Sequence, residues 1–149
     1  MPNKSRSQYW IYGMMAVLLC TATNTVKAQE TIDTPALMVE LNTAQTLDGA
    51  CRLSFLIKNE HPSDIKSVVY ETVLFNADGS VNQLTLFDFG LLPSSRPRVR
   101  QFDVQGVVCS DLGQLLINDA NNCESTDLDP SICVSTLDLR SRTEIEVLG

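Results

Sequence analysis

Residues 51–76, CRLSFLIKNEHPSDIKSVVYETVLFN, contain two runs with the two-residue period of β-strands, separated by the turn-forming EHPSD. In the first run, Cys51, Leu53, Phe55 and Ile57 share one face, and polar side chains take most of the other. The second run, 65–76, has apolar residues on both faces, which is typical of a central strand. These residues therefore predict two strands, at 51–59 and 65–76, with the second inside a sheet.

The rest of the chain continues this pattern of short strands and turns. NADGS at 76–80 predicts a hairpin because Asp-Gly between apolar runs favours a tight turn. The other predicted strands are 37–42, 81–92, 96–104, 112–118 and 135–148. The polar segment 118–133 is predicted to be a long loop held by cysteines. About seven strands without a long helix predict an all-β, immunoglobulin-like antiparallel sandwich.

The first 28 residues have the parts of a cleavable signal peptide: Lys4 and Arg6, an apolar run, and Ala28 before the expected cut. The apolar run, 9–20, is shorter than the roughly 20 residues that a membrane span needs. A lipid-modified Cys20 is disfavoured because the bulky Leu19 precedes it. We therefore expect a signal peptide at 1–28, a single domain at 29–149 and a periplasmic protein without stable membrane insertion; an N-terminal anchor facing the periplasm is the alternative.

The predicted mature chain is strongly acidic. Removing residues 1–28 leaves eight basic against eighteen acidic residues, a net charge of −10. Such a surface repels phosphate backbones and anionic membranes. We therefore expect no nucleic-acid partner.

Four cysteines remain after removal of the signal: Cys51, Cys109, Cys123 and Cys133. An even number in a small exported chain predicts two disulfides, for which three connectivities exist. A zinc site is disfavoured because no C-x-x-C pair occurs and the single histidine, His61, is distant in sequence from the cysteines.

Sequence signals for catalysis are missing. No G-x-S-x-G motif occurs, the cysteines are committed to disulfides, and His61 before Pro62 is interpreted as a solvated loop histidine. The oxygen-rich NADGSVN at 76–82 lacks the acidic residue that would close a calcium loop. We expect no catalytic residue, metal or cofactor, and hence a protein that is not an enzyme.

Arg96, Arg98 and Arg100 are spaced two apart and would form a stripe on one face of an extended strand. Their phase conflicts with Phe102 and Val104, so a β-bulge near Arg100, or partial covering of Arg100 by Asp88 or Asp103, is expected. One interpretation is an edge strand protected by charge and by Pro97. The other is that the stripe, alone or with Arg140 and Arg142, is a docking site for an acidic segment of an envelope protein.

A resemblance rests on Asn59, on VVYETVLFNADGSV at 68–81 and on LLPSSRPRVRQFDV at 91–104. These stretches resemble small bacterial envelope domains with an immunoglobulin-like fold, in which an asparagine follows the second strand. Those domains share an LF-x-x-DG strand end and an LP-x-G-x turn, where this chain has Ser95 in place of glycine. The mature chain is also similar to an uncharacterised group of exported alphaproteobacterial proteins. The resemblance implies the fold and the compartment.

In the seven-strand topology, Cys51 opens the second strand, Cys109 follows the fifth, and Cys123 and Cys133 flank the loop before the last. This arrangement predicts the pairs Cys51–Cys109 and Cys123–Cys133. The function expected from these observations is a non-enzymatic periplasmic interaction or accessory module of an envelope complex. The alternative is a module that binds a small ligand or acts as an inhibitor through the 118–133 loop.

Overall fold

The structure is a computed structural model that describes residues 35–149. The predicted signal peptide, 1–28, and its cleavage site lie outside the described residues, so the boundaries of the mature domain stay predictions. Among residues 35–149, no helix has both the length and the apolar character needed to span a membrane.

Two four-stranded sheets form the fold, as the all-β sandwich prediction requires. Sheet 1 contains β1 (Leu37–Leu47), β2 (Ala50–Asn59), β5 (Arg98–Gln105) and β7 (Leu137–Ser141), in the order β5-β2-β1-β7. Sheet 2 contains β3 (Ile65–Asn76), β4 (Val81–Asp88), β6 (Leu112–Ser125) and β8 (Glu146–Leu148), in the order β4-β3-β6-β8. A 3-10 turn spans Cys109–Asp111, and a short helix, α1, spans Ile132–Ser135. The β2–β5 and β3–β6 pairs match the B–E and C–F pairs of immunoglobulin-like sandwiches.

The core lies between the inner faces of the two sheets, where the period of two predicted it. Cys51, Leu53, Phe55 and Ile57 of β2 are all buried. Strand β3 contributes Tyr70 and Leu74, and is central because β4 and β6 pair with its two edges. Phe55 contacts the rings of Phe87, Phe89 and Phe102, which come from both sides of the sandwich. These aromatic contacts join the two sheets through their largest apolar side chains.

The predicted hairpin at NADGS connects β3 to β4. Gly79 has φ +84, a value that glycine adopts without the steric cost of a Cβ atom. Asp78 accepts hydrogen bonds from the backbone N–H and the hydroxyl of Ser80. The Asn82 side chain donates to Asn76 Oδ1. Side-chain oxygens of Asn76, Asp78 and Ser80 are therefore engaged within the turn itself.

The segment 135–148, predicted to be one strand, forms β7 and β8 in different sheets. Strand β7 pairs in parallel with β1, and β8 pairs in parallel with β6. Between them Ser141 Oγ donates to the Ile145 carbonyl and accepts from the Thr143 N–H, which turns the chain across the sandwich. Both halves keep the same alternation, which explains why the sequence alone indicated a single strand.

Both predicted disulfides are confirmed. Cys51–Cys109 joins the start of β2 to the 3-10 turn that precedes β6, and Cys123–Cys133 joins β6 to α1. Each bridge therefore fastens a connecting segment to a strand. Two disulfides in a chain of this size are typical of proteins from oxidising compartments.

Candidate functional site

The arginine-bearing strand β5 is an edge strand of sheet 1, as one of the two interpretations required. Its register with β2 is continuous from Ala50↔Gln105 to Ile57↔Arg98, so the expected β-bulge near Arg100 is wrong. Arg98 and Arg100 therefore share the face of Phe102 and Val104, and Arg96 precedes the strand. The arginines do not form an outward-facing stripe.

Arg100 reaches the segment that follows β4. Its Nε donates to the Phe89 carbonyl at 2.8 Å, and a terminal nitrogen donates to the Leu91 carbonyl at 3.3 Å. The prediction that Arg100 is partly covered is confirmed, but the expected carboxylate partner is wrong. Asp103 lies on the opposite face of β5 and binds Arg52 instead, at 2.6 Å. Arg100 thus has a structural contact that ties an edge of sheet 1 to the segment that follows β4.

Arg140 and Arg142 lie at the opposite edge of sheet 1 from β5. Three strand spacings separate the edges, about 14 Å. Arg140 pairs with Asp138, and Arg142 Nε donates to Glu40 Oε1 at 2.7 Å. Hydrogen bonds from Arg142 and Asn42 hold the pKa of the buried Glu40 below its usual value. The structure therefore does not bring the five arginines into one surface, and their role in partner binding stays a prediction.

His61 is buried, with 5% of its surface exposed, so its interpretation as a solvated loop residue is wrong. Its Nε2 lies 2.9 Å from Thr136 Oγ1. Because that hydroxyl donates to the Ile132 carbonyl at 2.6 Å, Nε2 carries the proton in this contact. Burial lowers the pKa of His61. The ring fixes the 59–65 turn against the end of α1.

The segment 118–133 is a strand over much of its length, so the long-loop prediction is wrong there. Strand β6 continues to Ser125, and α1 begins at Ile132. Only 126–131 connects them, and Asp129 in this connection accepts the Ser131 N–H. A recognition loop at this end of the sandwich is therefore much shorter than expected.

The outer face of sheet 2 carries a contiguous set of apolar side chains. Because Tyr70, Thr72 and Leu74 are buried on the inner face, the alternate residues of β3 face outward. The apolar patch of sheet 2 consists of Val73, Phe75, Leu84, Leu86, Leu116 and Leu148. None of them belongs to the buried core or packs against it. Leu84 and Leu86 are 58% and 52% exposed.

Four members of this patch form one row across the whole sheet. Val73 pairs with Leu84 on β4 and with Leu116 on β6, and Leu116 pairs with Leu148 on β8. Residues opposite each other on neighbouring strands lie about 5 Å apart. The apolar surface is therefore continuous from one edge of sheet 2 to the other.

Charge is distributed unequally between the two sheets. The strands of sheet 1 carry five basic and three acidic residues: Arg52, Lys58, Arg98, Arg100, Arg140, Glu40, Asp103 and Asp138. The strands of sheet 2 carry one basic and five acidic residues: Lys66, Glu71, Asp88, Asp119, Glu124 and Glu146. All four ion pairs within 35–149 involve sheet 1 or its connections. Sheet 2 therefore presents carboxylates without cationic partners in this part of the chain.

Sequence reasoning missed the apolar patch, although a signal for it was present. In LTLFD, 84–88, Leu84 and Leu86 alternate with Thr85 and Phe87, so apolar residues occupy both faces of β4. That pattern fits an internal strand, yet β4 is an edge strand. The patch is identified by an apolar outer face on an edge strand. This signal can be recognised only when the order of the strands in the sheet is known.

Comparison with known proteins gives one informative likeness. No family model and no curated protein matches the sequence. The fold is similar to the solved structure of IrmA from Escherichia coli, with a TM-score of 0.54 and 9% sequence identity. The match covers 71% of this chain and 92% of the IrmA chain. At this identity the likeness concerns the fold alone, and the chain is a β-sandwich similar to IrmA in architecture.

Proposed function

We propose that this chain is a non-enzymatic protein–protein interaction module of the bacterial periplasm, and that the apolar patch of sheet 2 is its docking surface. The observation that carries the proposal is the row of apolar side chains across sheet 2, which lies outside the core, with Leu84 exposed and Val73, Leu116 and Leu148 partly buried. Periplasmic location is supported by the two disulfides and by the predicted signal peptide.

Single exposed leucines are common on protein surfaces and need no explanation. A contiguous apolar patch with a polar rim is characteristic of interaction sites. Fully burying an exposed leucine side chain contributes about 1.5–3 kcal/mol. Leu84 and Leu86 are about half exposed, so each would contribute about half of that to an interface. The outer face of the four-stranded sheet also presents these groups on a hydrogen-bonded backbone.

Strand β4 adds a second feature that favours docking. As an edge strand, it leaves alternate backbone N–H and C=O groups free of a neighbouring strand on one side. Leu84 and Leu86 lie on the same strand, so one partner segment can contact both the apolar side chains and the backbone edge.

The proposal is tested by cross-linked capture of partners from the native cell envelope, followed by binding measurements with the purified partner. The test variant is Leu84→Ser/Leu86→Ser. Its matched control is Val99→Ser/Val108→Ser, which removes two exposed apolar side chains that lie outside sheet 2. A third variant, Arg96→Glu/Arg98→Glu, tests the arginine edge without altering the contacts of Arg100.

We expect the purified partner to bind the wild type and the control equally and to lose binding to Leu84→Ser/Leu86→Ser. Loss only in Arg96→Glu/Arg98→Glu would move the docking site to β5 and contradict the proposed surface. Equal binding to all variants would also contradict it. Absence of any partner in the envelope would contradict the function itself.

A further inference from the structure

We infer that the partner docking on sheet 2 presents a cationic amphipathic segment, in which apolar side chains cover the patch and lysine or arginine side chains meet the carboxylates around it. This inference rests on the proposed function and specifies the chemistry of the partner. It is carried by the positions of the acidic residues relative to the apolar row.

Carboxylates flank the apolar row on both sides. Glu71 lies two residues from Val73 on β3 and is paired with Leu86 on β4 and Asp119 on β6. Asp88 lies two residues beyond Leu86. On the other side of the row, Glu146 is paired with Gln114 on β6. A step of two residues along a strand is about 7 Å, so each carboxylate lies within reach of a side chain that sits on the patch.

Neutral groups, not cations, bind these carboxylates. Asn118 Nδ2 donates to Glu71 Oε1 at 2.6 Å, and Gln114 Nε2 donates to Glu146 Oε2 at 3.0 Å. Such hydrogen bonds orient a carboxylate but leave its charge in place. Lys66, the basic residue of the sheet 2 strands, precedes Glu71 by five residues, about 17 Å along the strand. That separation exceeds the screening length of about 8 Å in physiological salt.

The negative charge of sheet 2 disfavours three other partners for the same surface: a second copy of the chain, an anionic membrane and a neutral apolar protein. A second copy would bring the same carboxylates face to face, and an anionic membrane would meet like charge. A neutral apolar partner would remove unpaired carboxylates from water, which is costly without a compensating charge. A partner with lysine or arginine beside its apolar residues supplies that charge, and arginine pairs with a carboxylate through two hydrogen bonds.

The inference is tested with two synthetic peptides of equal length, one alternating leucine with lysine and the other leucine with glutamate. Binding to the protein is measured by fluorescence anisotropy at low and physiological salt. The test variant, Glu71→Gln/Asp119→Asn, retains the shape and the hydrogen bonding of the two side chains. The control, Asp48→Asn/Glu144→Gln, changes the net charge equally at exposed residues outside sheet 2.

We expect the lysine peptide to bind the wild type and the control equally, and to bind the test variant about tenfold more weakly. Leu84→Ser/Leu86→Ser should weaken the same peptide. Binding of the glutamate peptide, or equal binding of the lysine peptide to all variants, would overturn the inference. So would concentration-dependent dimerisation that Leu84→Ser/Leu86→Ser abolishes.

The same variants separate failure of this inference from failure of the proposed function. If the purified envelope partner requires Leu84 and Leu86 but binds Glu71→Gln/Asp119→Asn as it binds the wild type, the docking surface stands and the cationic chemistry is wrong. If the partner requires neither pair, both proposals fail.

Discussion

Tyr70 Oη donates to the carbonyl of Cys133 at 2.7 Å, and this contact connects the central strand of sheet 2 to the disulfide-held helix α1. Tyr70 is fully buried, and burial raises the pKa of its hydroxyl above the usual value near 10. The hydroxyl is therefore satisfied only while it stays protonated and α1 stays in place.

Tyr70→Phe should lower the free energy of unfolding by about 1–3 kcal/mol, because the buried Cys133 carbonyl loses its donor. Since the folded pKa exceeds the unfolded one, the stability from Tyr70 is complete below pH about 10 and is lost as the pH rises further. Urea unfolding between pH 8 and pH 11 should show a fall with pH in the wild type that is smaller in Tyr70→Phe. Identical slopes in the two proteins would contradict this prediction.

His61 should give the opposite pH dependence. Burial lowers its folded pKa, so its contribution to stability is complete above pH about 6.5 and is lost as the pH falls below that value. His61→Gln retains a donor for Thr136 without a titrating ring. Thermal melts at pH 5 and pH 7 should therefore differ less in His61→Gln than in the wild type; an unchanged difference would show that acidic residues alone account for it.

Ser95 has φ +59, in the left-handed region that favours glycine. The same residue stands where the resembling envelope domains have glycine in the LP-x-G-x turn. Ser95→Gly should raise the free energy of unfolding by about 0.5–1 kcal/mol because it removes the steric cost of the Cβ atom. Ser94→Gly, at the neighbouring position, serves as a control that should not stabilise. Urea unfolding of both variants gives the comparison.

Arg100 should matter more for stability than Arg98, although both lie on β5. Arg100→Lys loses the paired contacts to the Phe89 and Leu91 carbonyls and should cost about 1 kcal/mol. Within residues 35–149, the guanidinium of Arg98 hydrogen-bonds to the adjacent Pro97 carbonyl alone, so Arg98→Lys should change stability by less than about 0.5 kcal/mol. Hydrogen exchange at 89–92 should accelerate only in Arg100→Lys. Equal effects of the two substitutions would show that the carbonyl contacts contribute nothing.

The two disulfides should contribute unequally to stability. Cys51–Cys109 spans 58 residues and Cys123–Cys133 spans 10, so loop entropy assigns them about 4 and 2.7 kcal/mol. Paired replacement by alanine, one bridge at a time, followed by urea unfolding, measures both values. A larger loss from removal of the shorter bridge would contradict the entropic ordering.

Much of the fold could be predicted because local patterns and long-range packing agree in it. The alternation in β2 matches its buried face, and Asp-Gly marks the β3–β4 turn. The disulfide pairing followed from the sandwich topology, since only neighbouring connections bring two cysteines within reach.

Other features depend on partners that the sequence does not reveal. The polar residues 118–125 form a strand because their backbone pairs with β3. Register shifts along this pairing accommodate a polar sequence that lacks regular alternation. The continuous register of β5 with β2 places Arg100 on the face of Phe102, and the carbonyls of the segment after β4 accept hydrogen bonds from its guanidinium there. The apolar patch emerges only when β4, β3, β6 and β8 are placed side by side.

The ion pair between Glu40 and Arg142 joins residues 102 positions apart, and it closes the outer edge of β1 together with β7. If the chain folds from its amino-terminal side, the Glu40 carboxylate and one edge of β1 stay exposed to water until β7 and Arg142 pair with them. Contacts of this sequence separation slow folding, because a long loop has to close before they form. We therefore expect sheet 1 to be completed late in folding. A chain that stops before β7 leaves the edge of β1 unpaired, and this edge can pair with strands of other molecules.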